Sequence, residues 1–181
     1  MALFDRDGVL NRDIGYAHRP EQIEWIDGAL AALALVKARG YRTVVVTNQS
    51  GVARGLYEEA DVLALHIWMA AQVEQAGGYI DAFYYCPYHA HAAVARYRAD
   101  HEDRKPRPGM LHKAIMRFPT DMMASFLVGD RRSDLDAAAA MGIAGHLFAG
   151  DRLDLLVAEI LAGNRVPETE AMAASGTHRR D

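Results

Sequence analysis

The sequence predicts an α/β fold built on a doubly wound parallel sheet, and three observations lead there. Short β-branched runs such as Thr43-Val44-Val45-Val46 are continuous rather than alternating, as strands buried on both faces are. These runs alternate with longer segments of helical period, giving strand, helix, strand, helix, strand. Three of the strands then end in reactive sequence: Asp5-Arg6-Asp7, Thr47-Asn48 and Gly129-Asp130. An open parallel sheet binds its ligands at the carboxyl ends of its strands, so these endings place a site on one edge.

The apolar run 2–4 is the first strand, and Gly8 allows the sharp turn that ends it. Asp5 and Asp7 stand one residue apart, so on a strand both project into the same space. Two such carboxylates repel unless a hard cation neutralises them or they hold different protonation states. Residues 12–25 are polar, contain Pro20 and read as a loop over the end of this strand. Leu30, Leu33, Leu35 and Val36 predict a helix over 29–39, stopped by Gly40. A strand over 42–46 leads into Thr47-Asn48-Gln49-Ser50-Gly51, read as a turn. A long helix follows over 58–76, stopped by Gly77-Gly78, and then a strand over 79–85.

Residues 86–108 carry His, Arg, Asp and Pro without a period, which predicts a long functional loop. Beyond it the pattern gives a helix over 110–118 and a buried strand over 125–128. An alanine-rich helix starts at Ser133 or Asp134 and ends near Gly142; a short strand over 145–148 and a helix over 153–161 close the pattern. The expectation is one domain over 1–163 and a disordered tail over 164–181.

Among 181 residues, 20 basic side chains face 24 acidic ones, a net charge of −4 with no long basic run. That balance argues against nucleic acid or a membrane surface as partner. Cys86 is the only cysteine, so no intrachain disulfide forms, and no apolar stretch is long enough to span a bilayer. A soluble cytoplasmic protein, monomeric or weakly dimeric, is expected.

Asp5, Asp7 and Asp130 offer hard oxygen ligands suited to magnesium, with Asp134 placed to act behind them. Thr47 and Asn48, at the end of a strand, suit an anionic oxygen such as phosphate. Lys105 adds a point charge, and Arg104 and Arg54 add forked donors. Together these are the parts of a phosphoryl-transfer site: an acid to attack, an acid to shuttle a proton, a metal, and cations for the phosphoryl oxygens.

The residues around these parts are more specific. Phe4-Asp5-Arg6-Asp7-Gly8-Val9-Leu10-Asn11, Thr47-Asn48-Gln49-Ser50-Gly51-Val52-Ala53-Arg54-Gly55, Tyr85-Cys86-Pro87, Arg104-Lys105-Pro106-Arg107-Pro108-Gly109-Met110 and Val128-Gly129-Asp130 resemble the haloacid-dehalogenase-type phosphatases. Within them, the likeness is to the branch of D-glycero-D-manno-heptose 1,7-bisphosphate phosphatases and histidinol-phosphatases, and the heptose group is nearer. The resemblance runs from about Ala2 to Gly150. It implies a Rossmann-like sheet with a minimal cap domain or none, so that the loops 12–25 and 86–108 shape the pocket. It implies Asp5 as nucleophile, Asp7 as general acid and base, and magnesium held by the Asp5 carboxylate, the Asp7 carbonyl and Asp130. Thr47 and Asn48 would take the transferring phosphoryl, Lys105 would bridge it to Asp5, and Arg54 and Arg104 would hold the far end of the substrate.

The implied reaction is magnesium-dependent removal of the 7-phosphate from a small phosphorylated sugar, heptose 1,7-bisphosphate. The alternatives are histidinol phosphate or another small phosphomonoester as substrate, and a phosphometabolite-binding protein without turnover. The last has no use for Asp5, Asp7, Lys105 and Asp130 together.

The family pattern also places a structural zinc in the second loop, and here its four positions are Cys86, Tyr88, His101 and Asp103. Cys86, His89, His91 and His101 are acceptable zinc donors, but their spacing no longer imposes tetrahedral closure. A loop held by packing and hydrogen bonds is the expectation, with zinc (Zn2+) the lesser alternative to a site that uses only magnesium (Mg2+). Of the remaining polar residues, Arg131 and Arg132 read as surface cover and Tyr85 as packing. His18 reads as a solvated loop residue.

Overall fold

The computed structural model describes residues 1–163, and the predicted tail lies outside the described residues. The strands are β1 (Ala2–Phe4), β2 (Thr43–Asn48), β3 (Ala82–Cys86), β4 (Phe126–Gly129) and β5 (Ala144–Leu147). They form one parallel sheet in the order β3-β2-β1-β4-β5. The helices are α1 (Ala29–Ala38), α2 (Ser50–Arg54), α3 (Glu59–Gln75), α4 (Gly109–Arg117), α5 (Arg132–Ala140) and α6 (Leu153–Gly163).

Strand alternation sorts the core into two layers. Ala2, Phe4, Val45 and Val128 face α1, α3 and α6 through Leu33, Val36, Leu65, Met69 and Val157. Leu3, Val44, Val46 and Leu127 face the other way, onto Met110 and Leu111 of α4 and Ala137 and Ala138 of α5. The central strands are thus covered on both sides, which is why their sequences are unbroken apolar runs. The chain winds outward from β1 through β2 to β3, returns to the other side of β1, and winds out again to β5. The crevice at that reversal lies between the ends of β1 and β4, where Asp5 and Asp130 follow.

Several boundaries differ from expectation by a residue or two, and two differences have a visible cause. Residues 50–54, read as part of a turn, form the short helix α2; five residues are too few to display a helical period. β3 starts at Ala82 rather than at 79, because Asp81 turns its carboxylate to the end of β2. That carboxylate accepts from Thr43 N at 2.8 Å and from Arg42 Nη1 at 2.7 Å.

Among the described residues no separate cap rises from the sheet edge. The insertion after β1 leaves and returns at one place, where Arg12 N donates to Glu24 O at 2.8 Å and Ile26 N to Leu10 O at 2.9 Å. It holds a 3-10 turn at Pro20–Gln22, and the insertion after β3 holds one at Ala95–Tyr97. No helix among the described residues is long and apolar enough to cross a membrane.

Candidate active site

β1 ends at Phe4, so Asp5 and Asp7 lie on the turn and not on the strand. The turn still brings both to one cavity, of about 600 Å³, at the carboxyl edge of the sheet. Gly8 makes this possible, with φ of 87° and no room for a side chain: a Cβ there would fall 2.3 Å from Asp130 Oδ2. The turn after β1 is therefore packed directly on the acid that follows β4.

At the base of the cavity the charges interlock. Lys105 is buried, with Nζ 2.9 Å from Asp5 Oδ1, 2.5 Å from Asp134 Oδ1 and 2.8 Å from the Val46 carbonyl that accepts from it. Burial alone would lower this ammonium, but Asp5 and Asp134 hold it above its usual range. Burial pushes the Asp5 carboxyl up to about 6, opposed by Lys105 and reinforced by Asp134. Burial likewise raises Asp130, with Arg131 opposing.

Among the described residues, ligand atoms of three acids converge at one place, with Asp5, Asp130 and Asp134 each within 4.8 Å of the others. Lys105 neutralises Asp134, which leaves Asp5 and Asp130 as the hard oxygen donors. Asp130 Oδ1 is buried without a hydrogen-bond partner, an arrangement that a divalent cation would satisfy. The donor set fits magnesium, with Asp134 behind it.

Asp7 is held on three sides. Its oxygens accept from Arg6 Nη2 at 2.9 and 3.1 Å, from Asn11 Nδ2 at 2.9 Å and from Gln49 Nε2 at 2.9 Å. Gln49 also donates to Thr47 Oγ1 at 2.8 Å and accepts from the Tyr57 hydroxyl at 2.7 Å.

Asn48 lines the cavity beside Thr47, and its carboxamide turns to Lys105. Its Nδ2 donates to Lys105 O and its Oδ1 accepts from Lys105 N, both at 3.1 Å, so the carboxamide fixes the lysine backbone. Thr47, Arg54 and Arg104 line the cavity as expected, and Arg54 lies over the Tyr16 ring at 6.0 Å.

Several contributors were not anticipated. Arg6, Asn11, Gln49 and Tyr57 tie down Asp7 and Thr47, although Arg6, Asn11 and Gln49 sit inside the motifs themselves. Arg131 is exposed, as a surface residue would be, but it also lines the cavity and meets Asp13 of the first loop at 2.7 Å. His18 is not simply solvated, since it stacks on Tyr57 at 4.7 Å.

The four loop side chains considered as zinc donors do not form a donor cluster among the described residues. Cys86 is buried, with its Sγ 3.9 Å from the Tyr88 carbonyl. His101 stacks on Tyr88 at 4.1 Å, and His89 Nδ1 accepts from the His91 backbone at 3.0 Å. At the remaining family position, Asp103 pairs with Lys113 at 2.5 Å. These residues do not fit a zinc site.

The chain is similar to known proteins over most of its length. A family model described as "HAD-hyrolase-like" matches residues 102–159. The chain is 42% identical over 160 residues to the D-glycero-beta-D-manno-heptose-1,7-bisphosphate 7-phosphatase of Rhodopseudomonas palustris, covering 88% of this chain and 89% of that one. It is 43% identical over 152 residues to the D-glycero-alpha-D-manno-heptose-1,7-bisphosphate 7-phosphatase of Burkholderia mallei, covering 83% and 80%. The crystal structure of D,D-heptose 1,7-bisphosphate phosphatase from B. bronchiseptica, complexed with magnesium and phosphate, superposes with a TM-score of 0.75 at 31% identity. That match covers 90% of this chain and 98% of the other.

Proposed function

Since the chain belongs to the haloacid-dehalogenase-type phosphatases, the family that includes the heptose-1,7-bisphosphate 7-phosphatases, we propose that it removes the 7-phosphate from D-glycero-D-manno-heptose 1,7-bisphosphate with magnesium. The observation that carries the choice of a bisphosphate is the cationic mouth of the cavity. Asp5 and Lys105 at its base account for one phosphoryl group, and Arg54 and Arg104 on its walls provide for a second. Its volume of about 600 Å³ lies within the roughly 300–1,000 Å³ usual for small-ligand sites.

In this reading Asp5 attacks phosphorus. Its Oδ1 is anchored by Arg6 N at 2.7 Å and Lys105 Nζ at 2.9 Å, so Oδ2 is the oxygen left to form the new bond. As the Asp5–phosphorus bond forms, the bond from phosphorus to sugar O7 breaks, and Asp7 gives that oxygen a proton. Asp7 then takes a proton from water, which attacks phosphorus and displaces the Asp5 carboxylate, releasing orthophosphate. Lys105 offsets the charge on Asp5 and on the phosphoryl oxygens, and the Thr47 hydroxyl contacts the same group. The carboxylates of Asp5 and Asp130, with the Asp7 carbonyl, would hold magnesium, which would supply Lewis-acid stabilisation of phosphoryl charge. Asp134 and Asn48 keep Lys105 in place.

The test is phosphate release by the purified protein with magnesium from both anomers of heptose 1,7-bisphosphate and from histidinol phosphate, each repeated after chelation. A clear preference for a heptose bisphosphate that is lost on chelation is the expected result. Preference for histidinol phosphate would overturn the substrate, and equal rates after chelation would overturn the metal. The two anomers belong in the assay because the relatives include phosphatases named for each.

A further inference from the structure

The segment that presents Arg104 and Lys105 is fastened at a point the reaction itself does not use. Glu59, in the first turn of α3, accepts from the Tyr85 hydroxyl on Oε2 at 2.7 Å and from the Tyr97 hydroxyl on Oε1 at 2.6 Å. Tyr85 belongs to β3 and Tyr97 to the long insertion that follows, so one carboxylate joins a helix, the sheet and the insertion. Only a carboxylate serves both donors through two acceptor oxygens; an amide offers one. Burial, and then the Glu59 charge, raise both phenols, which therefore remain protonated donors.

From Tyr97 the contacts continue to the cavity. Tyr97 is 6% exposed, its carbonyl accepts from His89 N at 3.1 Å, and its ring meets Tyr88 edge-on at 5.8 Å. The Tyr88 carbonyl in turn accepts from Arg104 Nη1 at 3.1 Å. A guanidinium on a long flexible stem is thus tied to a backbone atom whose position depends on the Glu59 anchor. Such restraint lowers the ordering cost of binding without adding a contact to the ligand.

We propose that Glu59 is a positioning residue for substrate binding, acting through Tyr97 and Tyr88 to hold the Arg104 guanidinium where it meets the second phosphate. The inference rests on the reading of Arg104 as a substrate-binding residue. It predicts that loss of Glu59 weakens affinity for a bisphosphate and leaves the chemical step alone.

The experiment is steady-state phosphate release from heptose 1,7-bisphosphate by the magnesium-loaded Glu59→Ala, Tyr97→Phe and Arg104→Ala enzymes and the Glu59→Ala/Arg104→Ala double variant. KM is expected to rise about tenfold in each of Glu59→Ala and Arg104→Ala, with kcat held within about twofold, and the double variant should be no worse than Arg104→Ala. Tyr97→Phe removes one hydroxyl and keeps the ring, so it should raise KM with little change in melting temperature. That variant keeps the inference open to test even if Glu59→Ala folds poorly. Unchanged KM in both anchor variants beside a raised KM in Arg104→Ala, or full multiplication of effects in the double variant, would overturn the positioning role. Unchanged KM in Arg104→Ala would overturn the substrate-binding reading and the inference with it.

Discussion

Arg6 is fully buried and grips Asp7 with both oxygens of the carboxylate in reach, Nη2 standing 2.9 Å from Oδ2 and 3.1 Å from Oδ1. The same nitrogen donates to the Ala17 carbonyl at 2.8 Å, and Nη1 lies 3.5 Å from His66 Nε2. A residue placed between two active-site acids thus turns inward and fixes one of them.

Because the buried Arg6 reaches both Asp7 oxygens through Nε and Nη2, lysine in its place keeps the charge and loses the geometry. Arg6→Lys should lower kcat more than it changes KM, since Asp7 does its work in the transition state. Arg6→Ala empties a fully buried site, removes one of the partners of Asp7 and should lower stability. Urea unfolding beside phosphate-release kinetics reads both; full activity in Arg6→Lys would show that the fork does not orient Asp7.

His66 gives the fold a dependence on acid. It is buried on α3 and stacked on Phe83 at 4.3 Å, and burial followed by the Arg6 charge lowers it from 6.5 to about 3. The unfolded chain therefore binds a proton that the folded chain refuses between pH 6.5 and about 3. Stability due to this group is complete above that window and is lost as pH falls through it, at up to about 1.4 kcal/mol per pH unit. His66→Phe should flatten this part of the stability curve in urea titrations between pH 7 and 5. An identical slope in the variant would mean that other groups set the acid sensitivity.

Magnesium should stabilise the protein apart from any turnover. A cation that binds the folded form at a hundred times its Kd adds about 2.7 kcal/mol, visible as a higher melting temperature. Asp130→Asn should abolish that rise. Gly8→Ala should diminish it, because the added methyl would fall 2.3 Å from Asp130 Oδ2. If Asp130→Asn melts higher with magnesium by the same margin, the cation sits elsewhere.

The sheet and its edge were legible because buried parallel strands write themselves as apolar runs ending in polar turns. Asp5, Asp7, Thr47, Lys105 and Arg104 were each found to line one cavity. The supports were harder to read. Arg6 was hidden because strand alternation assigns it to the face away from its neighbours, whereas β1 has already ended at Phe4 and the turn follows other rules. Gln49 sits inside a motif and His66 does not, but neither shows its role locally, since their partners, Asp7 and Arg6, lie far off in sequence and meet them only in the folded chain. The Asn48 carboxamide shows the same limit, since its partner, the backbone of Lys105, lies 57 residues away in sequence.

Gln49 donates to Asp7 at 2.9 Å, so a carboxylate in its place sets two like charges together. Gln49→Glu should lower kcat by about tenfold or more, while Gln49→Ala, which removes one donor and adds no charge, should do less harm. Equal losses in the two variants would show that repulsion at Asp7 is not the cause.

The most direct test of the account is Asp5→Asn, assayed for phosphate release with saturating magnesium and checked for folding by thermal unfolding. The amide is nearly the size of the carboxylate and should leave the melting transition cooperative. Turnover should fall by about a thousandfold or more, because the side chain can no longer form the bond to phosphorus. A folded Asp5→Asn enzyme that keeps most of its activity would contradict the covalent mechanism.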